Sequence, residues 1–175
     1  FRARNEEHLT VEDISSVECR IEDRCYHIVC EPDQAKKFPA TDYMMRFSLP
    51  YVAAVSFVKG KLGPREIDLR LVKDSRIREM MDKIQCVSDD SKKNPGYFPG
   101  WVRIPCRDGR EIVLDQRYEK GTAQNPVDLD AVMMKFSNNM EIHYPEDRIS
   151  KIASVIQNLE QQENPAELLD MLVCR

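Results

Sequence analysis

Two short alternating stretches joined by Asp108-Gly109 constrain the fold of this chain more than any other feature. Apolar residues occupy every second position from 102 to 106, and again positions 112 and 114. A period of two places alternate side chains on one face of a β-strand. Asp-Gly favours the positive φ angles of a type I′ turn, the common two-residue connection between antiparallel strands. The sequence therefore predicts a β-hairpin with this turn at its tip.

One more strand and several helices are predicted around the hairpin. Positions 17, 19 and 21 are apolar and alternate with charged residues, which predicts a strand with one buried face. Residues 88–100 are polar and contain several Pro and Gly, which predicts a mobile loop. Apolar residues at spacings of three and four predict helices that begin at Asp74, Asn125-Pro126, Pro145 and Asn164-Pro165. We therefore expect one α+β domain over residues 1–175, in two layers: an antiparallel sheet that includes the hairpin, packed against helices.

Residues 41–58 are apolar on nearly every side, which is typical of a buried helix. Pro50 allows two interpretations of this stretch. In the first, Ser48 is the N-cap of a helix over residues 49–59, because proline is tolerated in a first turn. In the second, a longer helix begins at Asp42 and is kinked at Pro50.

Composition and charge exclude several classes of protein. The chain has 175 residues, of which 42% are hydrophobic and 32% are charged, a balance typical of globular proteins. Its 30 acidic and 26 basic residues give a net charge of −4, which argues against nucleic acid or an anionic membrane as the main partner. No apolar run approaches the roughly 20 residues that a membrane span needs. We expect a cytoplasmic protein that binds neither nucleic acid nor membrane.

The cysteines raise the question of a metal site. Cys25, His27 and Cys30 lie close together and are residue types that bind zinc. Their spacing fits no usual zinc finger, and no second pair of ligands follows elsewhere in the sequence. We therefore expect no metal ion, and we assign residues 25–30 to a half-buried strand or loop. All six cysteines are expected to be reduced: Cys19, Cys25, Cys30, Cys86, Cys106 and Cys174.

Basic residues precede the predicted N-cap Ser48. A helix N-terminus presents free N–H groups and the positive end of the helix dipole. With Lys36, Lys37 or Arg46 nearby, it can hold a carboxylate. The alternative is that the two lysines are exposed loop residues and Ser48 only caps its helix.

Several motifs follow one another in order along the chain. The fullest is Met45-Arg46-Phe47-Ser48-Leu49-Pro50-Tyr51. The others are Ile28-Val29-Cys30-Glu31-Pro32, Lys36, Pro39, Lys73-Asp74-Ser75-Arg76-Ile77, Tyr97-Phe98-Pro99-Gly100-Trp101-Val102, Arg107-Asp108-Gly109, Lys120-Gly121-Thr122-Ala123-Gln124-Asn125-Pro126 and Lys135-Phe136. Together, from about His8 to Asn139, they resemble the MmgE/PrpD family.

The resemblance implies a fold and a class of reaction. The family includes 2-methylcitrate dehydratase, an enzyme of propionate metabolism, and cis-aconitate decarboxylase. Its members combine a large all-helical domain with a smaller α+β domain, and this chain resembles the smaller, C-terminal one. Because it begins with Phe1 and not with Met, we expect it to be part of a longer enzyme. The resemblance implies a lyase without metal or cofactor, which removes water or carbon dioxide from a small polycarboxylate substrate.

The same resemblance implies partners and site residues. The partners are an N-terminal helical domain of the same protein and a second copy in a homodimer. The acid–base histidines belong to the helical domain and to the segment just before residue 1, and His8, His27 and His143 match none of them. No catalytic residue is therefore assigned, and we expect this chain alone to be inactive. What remains is a substrate-binding half-site that orients carboxylates or shapes the cleft: Lys36, Arg46, Ser48 and Tyr51.

Some alternatives stay open. Tyr51 is as well explained as an aromatic residue of the core. Met45 stands where the family has a small residue, and it either narrows the cleft or fills the core. A second hypothesis for the whole chain is a non-enzymatic module for assembly or regulation, with cysteines and methionines at an apolar interface.

Overall fold

A computed structural model describes residues 1–173 and divides them into two compact units. The first unit comprises Phe1–Pro126, and the second begins at Val127. Cys174, one of the cysteines expected to be reduced, lies outside the described residues. A single domain over residues 1–175 stays a prediction.

A four-stranded sheet forms the centre of the first unit. Its strands are β1 (Val17–Ile21), β2 (Ile84–Ser88), β3 (Gly100–Pro105) and β4 (Glu111–Gln116), in the order β2-β1-β3-β4. The β1–β2 pair is parallel, and the β1–β3 and β3–β4 pairs are antiparallel. The α+β class is confirmed, but the sheet is mixed and not antiparallel throughout. The long helical connection between β1 and β2 returns the chain in the same direction, as a parallel pair requires.

Strand β2 was not predicted from the sequence. Ile84 continues the three- and four-residue spacing of the preceding helix, so the pattern assigns it to that helix. In the structure the helix ends at Lys83 and Ile84 pairs with Val17. Pairing with Val17, which is distant along the chain, decides whether Ile84 is helix or strand. A local sequence pattern carries no information about that partner.

Six α-helices belong to the described first unit. They are α1 (Arg2–Asn5), α2 (Asp23–Val29), α3 (Asp33–Lys37), α4 (Asp42–Arg46), α5 (Leu49–Lys59) and α6 (Ser75–Lys83). Helices α5 and α6 pack on each other and on β2. Their apolar side chains and those of the sheet form one core, whose fully buried members include Ile14, Met45, Tyr51, Ile77, Met81 and Ile84.

Helix α5 confirms the first of the two interpretations of residues 41–58. Ser48 is its N-cap, and the Ser48 hydroxyl accepts a 3.1 Å hydrogen bond from the Tyr51 N–H. Gly60 ends the helix with a φ of 72°, a left-handed conformation that favours glycine. Helix α4 is separate from α5, so a continuous helix kinked at Pro50 does not occur.

The assignment of residues 25–30 to a strand or loop was wrong, because they lie in α2 and its C-cap. The Asp23 N–H at the start of this helix donates a 3.0 Å hydrogen bond to Asp90. The group that satisfies this helix end therefore comes from a distant loop, and nothing in the local sequence reveals it. The β-branched Ile28 and Val29 favour a strand locally and were misleading.

The hairpin is confirmed, but its turn is not type I′. Gly109 has a φ of 88°, whereas Asp108 does not have a positive φ. The Gly109 N–H donates to the Cys106 carbonyl, and the Cys106 N–H donates to the Arg110 carbonyl. This is the longer connection in which a turn is followed by one left-handed glycine.

The loop over residues 88–100 is fixed to the first unit by Arg24 and Glu22. Glu22 is buried, and its carboxylate accepts a 2.7 Å hydrogen bond from the Asn94 N–H and lies 2.6 Å from Arg24 Nε. The Arg24 guanidinium donates to the carbonyls of Asn94 and Tyr97. The loop prediction holds, and these bonds anchor its middle.

The second unit contains three described α-helices: α7 (Leu129–Met140), α8 (Glu146–Gln157) and α9 (Glu167–Met171). Helix α8 begins after Pro145, as predicted, and its Ile149 and Ile152 are buried. The Arg148 guanidinium donates a 3.0 Å hydrogen bond to the carbonyl of Met171, which ties α8 to α9. Within residues 1–173 no helix is long and apolar enough to span a membrane.

Candidate functional site

Lys36 lies at the centre of the candidate half-site and binds the backbone. Its ammonium donates hydrogen bonds of 2.5 Å to the Ile28 carbonyl and 2.8 Å to the Phe47 carbonyl. These carbonyls belong to the end of α2 and to the residue after α4. Lys36, in α3, therefore links the end of α2 to the residue after α4. The local sequence does not indicate this link.

Ser48 is 1% exposed, and both hydrogen-bonding functions of its hydroxyl are used inside the protein. The hydroxyl donates to the Lys36 carbonyl over 2.5 Å and accepts from the Tyr51 N–H. A substrate carboxylate would have to displace one of these buried bonds. Ser48 thus sets the position of the segment by holding its backbone.

Tyr51 is fully buried, and its hydroxyl donates a 2.5 Å hydrogen bond to the Glu66 carbonyl. Burial raises the pKa of Tyr51 to about 12, so the phenol stays protonated at neutral pH. The structure places Tyr51 in the core, as the alternative interpretation expected. Met45 is also fully buried in this core, which is where its larger side chain is accommodated.

Arg46 differs from the other three residues because it is exposed. It is the last residue of α4, and within residues 1–173 its guanidinium has no hydrogen-bond or ion-pair partner. Its neighbour Phe47 supplies the carbonyl that Lys36 binds. In the candidate half-site, therefore, Arg46 is exposed, and the backbone next to it is held by the hydrogen bonds of Lys36 and Ser48.

Exposed apolar side chains accompany this cation. Phe47 and Tyr43 pack their rings 5.0 Å apart, yet Tyr43 is 68% exposed. Phe38 is 55% exposed and stacks under the Arg78 guanidinium. With Ile28, whose carbonyl also binds Lys36, these residues form what we call the apolar surface: Ile28, Phe38, Tyr43 and Phe47. Sequence reasoning missed this surface, because a helical periodicity cannot be read in helices of five to seven residues.

An open cavity of about 550 Å³ lies beside the start of α4. Thr41, Asp42, Arg65, Asp68 and Leu69 are among its lining residues. The Asp68 carboxylate is paired with Arg70, which lowers the pKa of Asp68. The cavity therefore combines polar and apolar walls next to the helix that carries Arg46, and no sequence motif indicated it.

The contacts of His27 are with carboxylates of its own neighbourhood and not with the candidate half-site residues. His27 is exposed on α2, 2.6 Å from the Glu31 carboxylate and 3.6 Å from that of Asp23. The hydrogen bond to Glu31 raises the pKa of His27 above its usual value. Among residues 1–173, no three His, Cys, Asp or Glu side chains are arranged so that they could hold a metal ion.

The mixed sheet and the helices packed against it define the first unit as a small α+β domain. The family model described as the MmgE/PrpD C-terminal domain matches residues 1–161. The chain belongs to the MmgE/PrpD family, through this C-terminal domain.

A curated relative adds a distant similarity to an enzyme. The protein named "2-methylcitrate dehydratase, mitochondrial", from Yarrowia lipolytica (strain CLIB 122 / E 150), is 27% identical over 161 residues. The alignment covers 82% of this chain and 28% of the relative. The chain therefore spans less than a third of that relative's length.

Proposed function

We propose that this chain is the C-terminal domain of a lyase of the 2-methylcitrate dehydratase type, which acts on a small polycarboxylate without a metal or cofactor. The observation that carries the proposal is the family match over residues 1–161, which includes the whole candidate half-site. The distant similarity to 2-methylcitrate dehydratase supports the reaction class. Loss of water or of carbon dioxide remains open within this class.

Arg46 is the residue that we propose to contact substrate. Removal of a proton beside a carboxylate builds negative charge, which a positioned cation stabilises. A guanidinium suits this task because it binds a carboxylate through two parallel hydrogen bonds. The exposure of Arg46 supports this role, since the side chain is open to a ligand.

Lys36, Ser48 and Tyr51 act in this proposal as positioning residues. Lys36 and Ser48 fix the residues between α3 and α5 through backbone carbonyls. Tyr51 fixes α5 to the segment that follows it through the Glu66 carbonyl. In this proposal they hold the backbone that lines the cleft and do not contact the substrate, while the acid–base groups come from outside this chain.

The apolar surface is the part of this chain that we propose to face the N-terminal helical domain. Four exposed apolar side chains are costly in water and suit a contact with another domain. Hydrogen exchange of residues 38–47, compared between this chain and the longer protein, tests this contact. We expect slower exchange in the longer protein, and equal rates would contradict the contact. A homodimer is a further proposal, tested by the mass of the longer protein in solution.

Turnover assays test the reaction class. The longer protein, with its helical domain, is incubated with 2-methylcitrate, citrate and cis-aconitate, and the products are separated and weighed by mass spectrometry. We expect loss of water or carbon dioxide from at least one of them, and none from this chain alone. Turnover should persist after treatment with a metal chelator. No reaction with any small polycarboxylate would contradict the proposal.

A further inference from the structure

A pocket of about 370 Å³ lies between the loop over residues 88–100 and the end of β4. We call it the loop pocket, and its lining residues are Ser91, Lys92, Lys93, Pro99, Asp115 and Arg117. Its volume falls in the range of sites that bind small molecules. Three of the lining residues are cations and one is an anion, so the lining carries a charge of +2, although the whole chain carries −4.

Lys92 is held in position at the wall of the loop pocket. Its ammonium lies 2.5 Å from the Asp115 carboxylate and 4.9 Å from the centre of the Trp101 ring. This ion pair neutralises the acidic residue of the lining. It therefore leaves Lys93 and Arg117 as the cations in excess.

Lys93 and Arg117 are both exposed. The Arg117 guanidinium lies 5.8 Å from the centre of the Tyr118 ring, and among residues 1–173 no carboxylate pairs with it. The Lys93 ammonium lies 3.1 Å from the Asp90 carboxylate, whose other oxygen accepts a hydrogen bond from the Asp23 N–H. Even with Asp90 included, one positive charge stays in excess, and a bound anion would neutralise it.

A buried carboxylate fixes the loop that carries two of these cations. The Glu22 side chain is 1% exposed, and it accepts a 2.7 Å hydrogen bond from the Asn94 N–H, next to Lys93. Removing a carboxylate from water costs free energy, and a polar surface loop does not need such an anchor in order to stay solvated. Pro99, which lines the pocket, is buried as well. The loop pocket is therefore preorganised, which lowers the cost of binding a ligand.

We propose that the loop pocket binds a small anion with two or more negative charges, such as a phosphate group. Arg117 binds the anion through parallel hydrogen bonds, and Lys93 adds a point charge from the loop. Lys92 stays with Asp115 and helps to hold the wall of the pocket. Free phosphate, a phosphate ester and a polycarboxylate all present this chemistry. None of the lining residues belongs to the candidate half-site, so the inference does not depend on the proposed function.

An NMR titration of this chain tests the proposal. Inorganic phosphate, glycerol phosphate and citrate are added in separate arms at constant pH and ionic strength, and the shifts of the backbone N–H signals are followed. We expect saturable shifts at residues 91–93 and 115–117, with a dissociation constant below about 1 mM for at least one anion. The arm with the lowest constant identifies the source of the charge. Sodium chloride at the same ionic strength is the control for screening and should give no saturable shift.

Two double variants separate a site from general attraction to positive charge. Lys93→Met combined with Arg117→Met should raise the dissociation constant by about 10-fold or more. Lys135→Met combined with Lys151→Met removes the same charge from exposed positions of the second unit and should leave the constant unchanged. Unaltered signals from β1 in each variant show that the fold is intact.

Several results would overturn the proposal. One is the absence of saturation with all three anions, and another is the same set of shifts with sodium chloride. Equal weakening by the two double variants would also contradict a specific site. Saturable shifts confined to residues 41–51 would overturn the proposal too, because they would place the anion at the candidate half-site around Arg46.

Discussion

Lys36 and Ser48 hold each other's backbone segments. The Ser48 hydroxyl donates a 2.5 Å hydrogen bond to the Lys36 carbonyl, and the Lys36 ammonium donates a 2.8 Å hydrogen bond to the carbonyl of Phe47, next to Ser48. Because Ser48 also caps α5, one hydroxyl fixes both a buried helix and the segment that carries Arg46. The stability of the fold and the position of the candidate half-site are therefore coupled.

Ser48→Ala is expected to lower the free energy of unfolding by about 2 kcal/mol, because it removes a helix cap and leaves the Lys36 carbonyl without its donor. Thr41→Ala is the matched control, since Thr41 caps the short and exposed α4 through a 3.1 Å bond to the Met44 N–H. This control should lose about 1 kcal/mol or less. Urea unfolding measures both, and an equal loss would show that the second bond of Ser48 is unimportant.

Tyr51→Phe should lower the free energy of unfolding by about 1.5 kcal/mol at pH 7, because the buried Glu66 carbonyl loses its donor. Tyr43→Phe should change it very little, since Tyr43 is exposed. Thermal and urea unfolding provide the comparison. Equal stability of the two variants would contradict the buried position of Tyr51.

The raised pKa of Tyr51 predicts a dependence of stability on alkaline pH. The folded pKa of about 12 lies above the ordinary value of about 10 expected after unfolding, so the unfolded chain loses this proton first. The contribution is fully present below pH 10 and is lost between about pH 10 and pH 12, by about 3 kcal/mol. The advantage in stability of the unmodified protein over Tyr51→Phe should disappear over this range and then reverse. A constant difference would mean that the pKa of Tyr51 is ordinary.

The pKa of His27 should lie above its ordinary value, because its ring is hydrogen-bonded to the Glu31 carboxylate. Its contribution to stability is present below the ordinary pKa of about 6.5 and is lost as pH rises through the folded pKa. NMR titration of the ring protons measures this pKa directly. Glu31→Gln should lower the pKa of His27, and an unchanged titration would contradict the hydrogen bond.

The Arg24 guanidinium should control the order of the loop over residues 88–100. Arg24→Met removes its bonds to the Asn94 and Tyr97 carbonyls and its ion pair with the buried Glu22, but it keeps an apolar stem of similar length. We expect faster hydrogen exchange in residues 93–98 and little change in β1. Arg110→Met, in the hairpin turn where Arg110 pairs with Asp108, serves as the control, and an equal effect of both variants would argue against the anchor.

The predictable parts of the fold are those whose signals are local. The start of α5 is indicated by Ser48 and Pro50, and its end by Gly60. The Asp108-Gly109 dipeptide indicates the hairpin. Helix α2 and strand β2 depend on distant partners, Asp90 and Val17, so a local pattern could not decide their state. For the same reason the sequence did not reveal the parallel β1–β2 pair, which follows from a long connection and not from a motif.

The candidate half-site could be predicted only in part from the sequence. The motif from Met45 to Tyr51 located the segment, but residue type did not show which side chains face outward. Ser48 and Tyr51 use their polar groups internally, and Lys36 binds carbonyls. Side-chain direction follows from tertiary packing, and this is why Arg46 stands apart only in the structure.

The proposed contact of Arg46 with substrate is tested most directly by the ratio kcat/KM of the proposed longer lyase after Arg46→Ala, measured with a small polycarboxylate. Loss of a cation that holds developing charge should lower this ratio by about 100-fold or more. Arg107→Ala, an exposed arginine at the hairpin tip, is the matched control and should leave it unchanged. Arg46→Ala with the same kcat/KM as Arg107→Ala would contradict the proposed role of this segment in binding substrate.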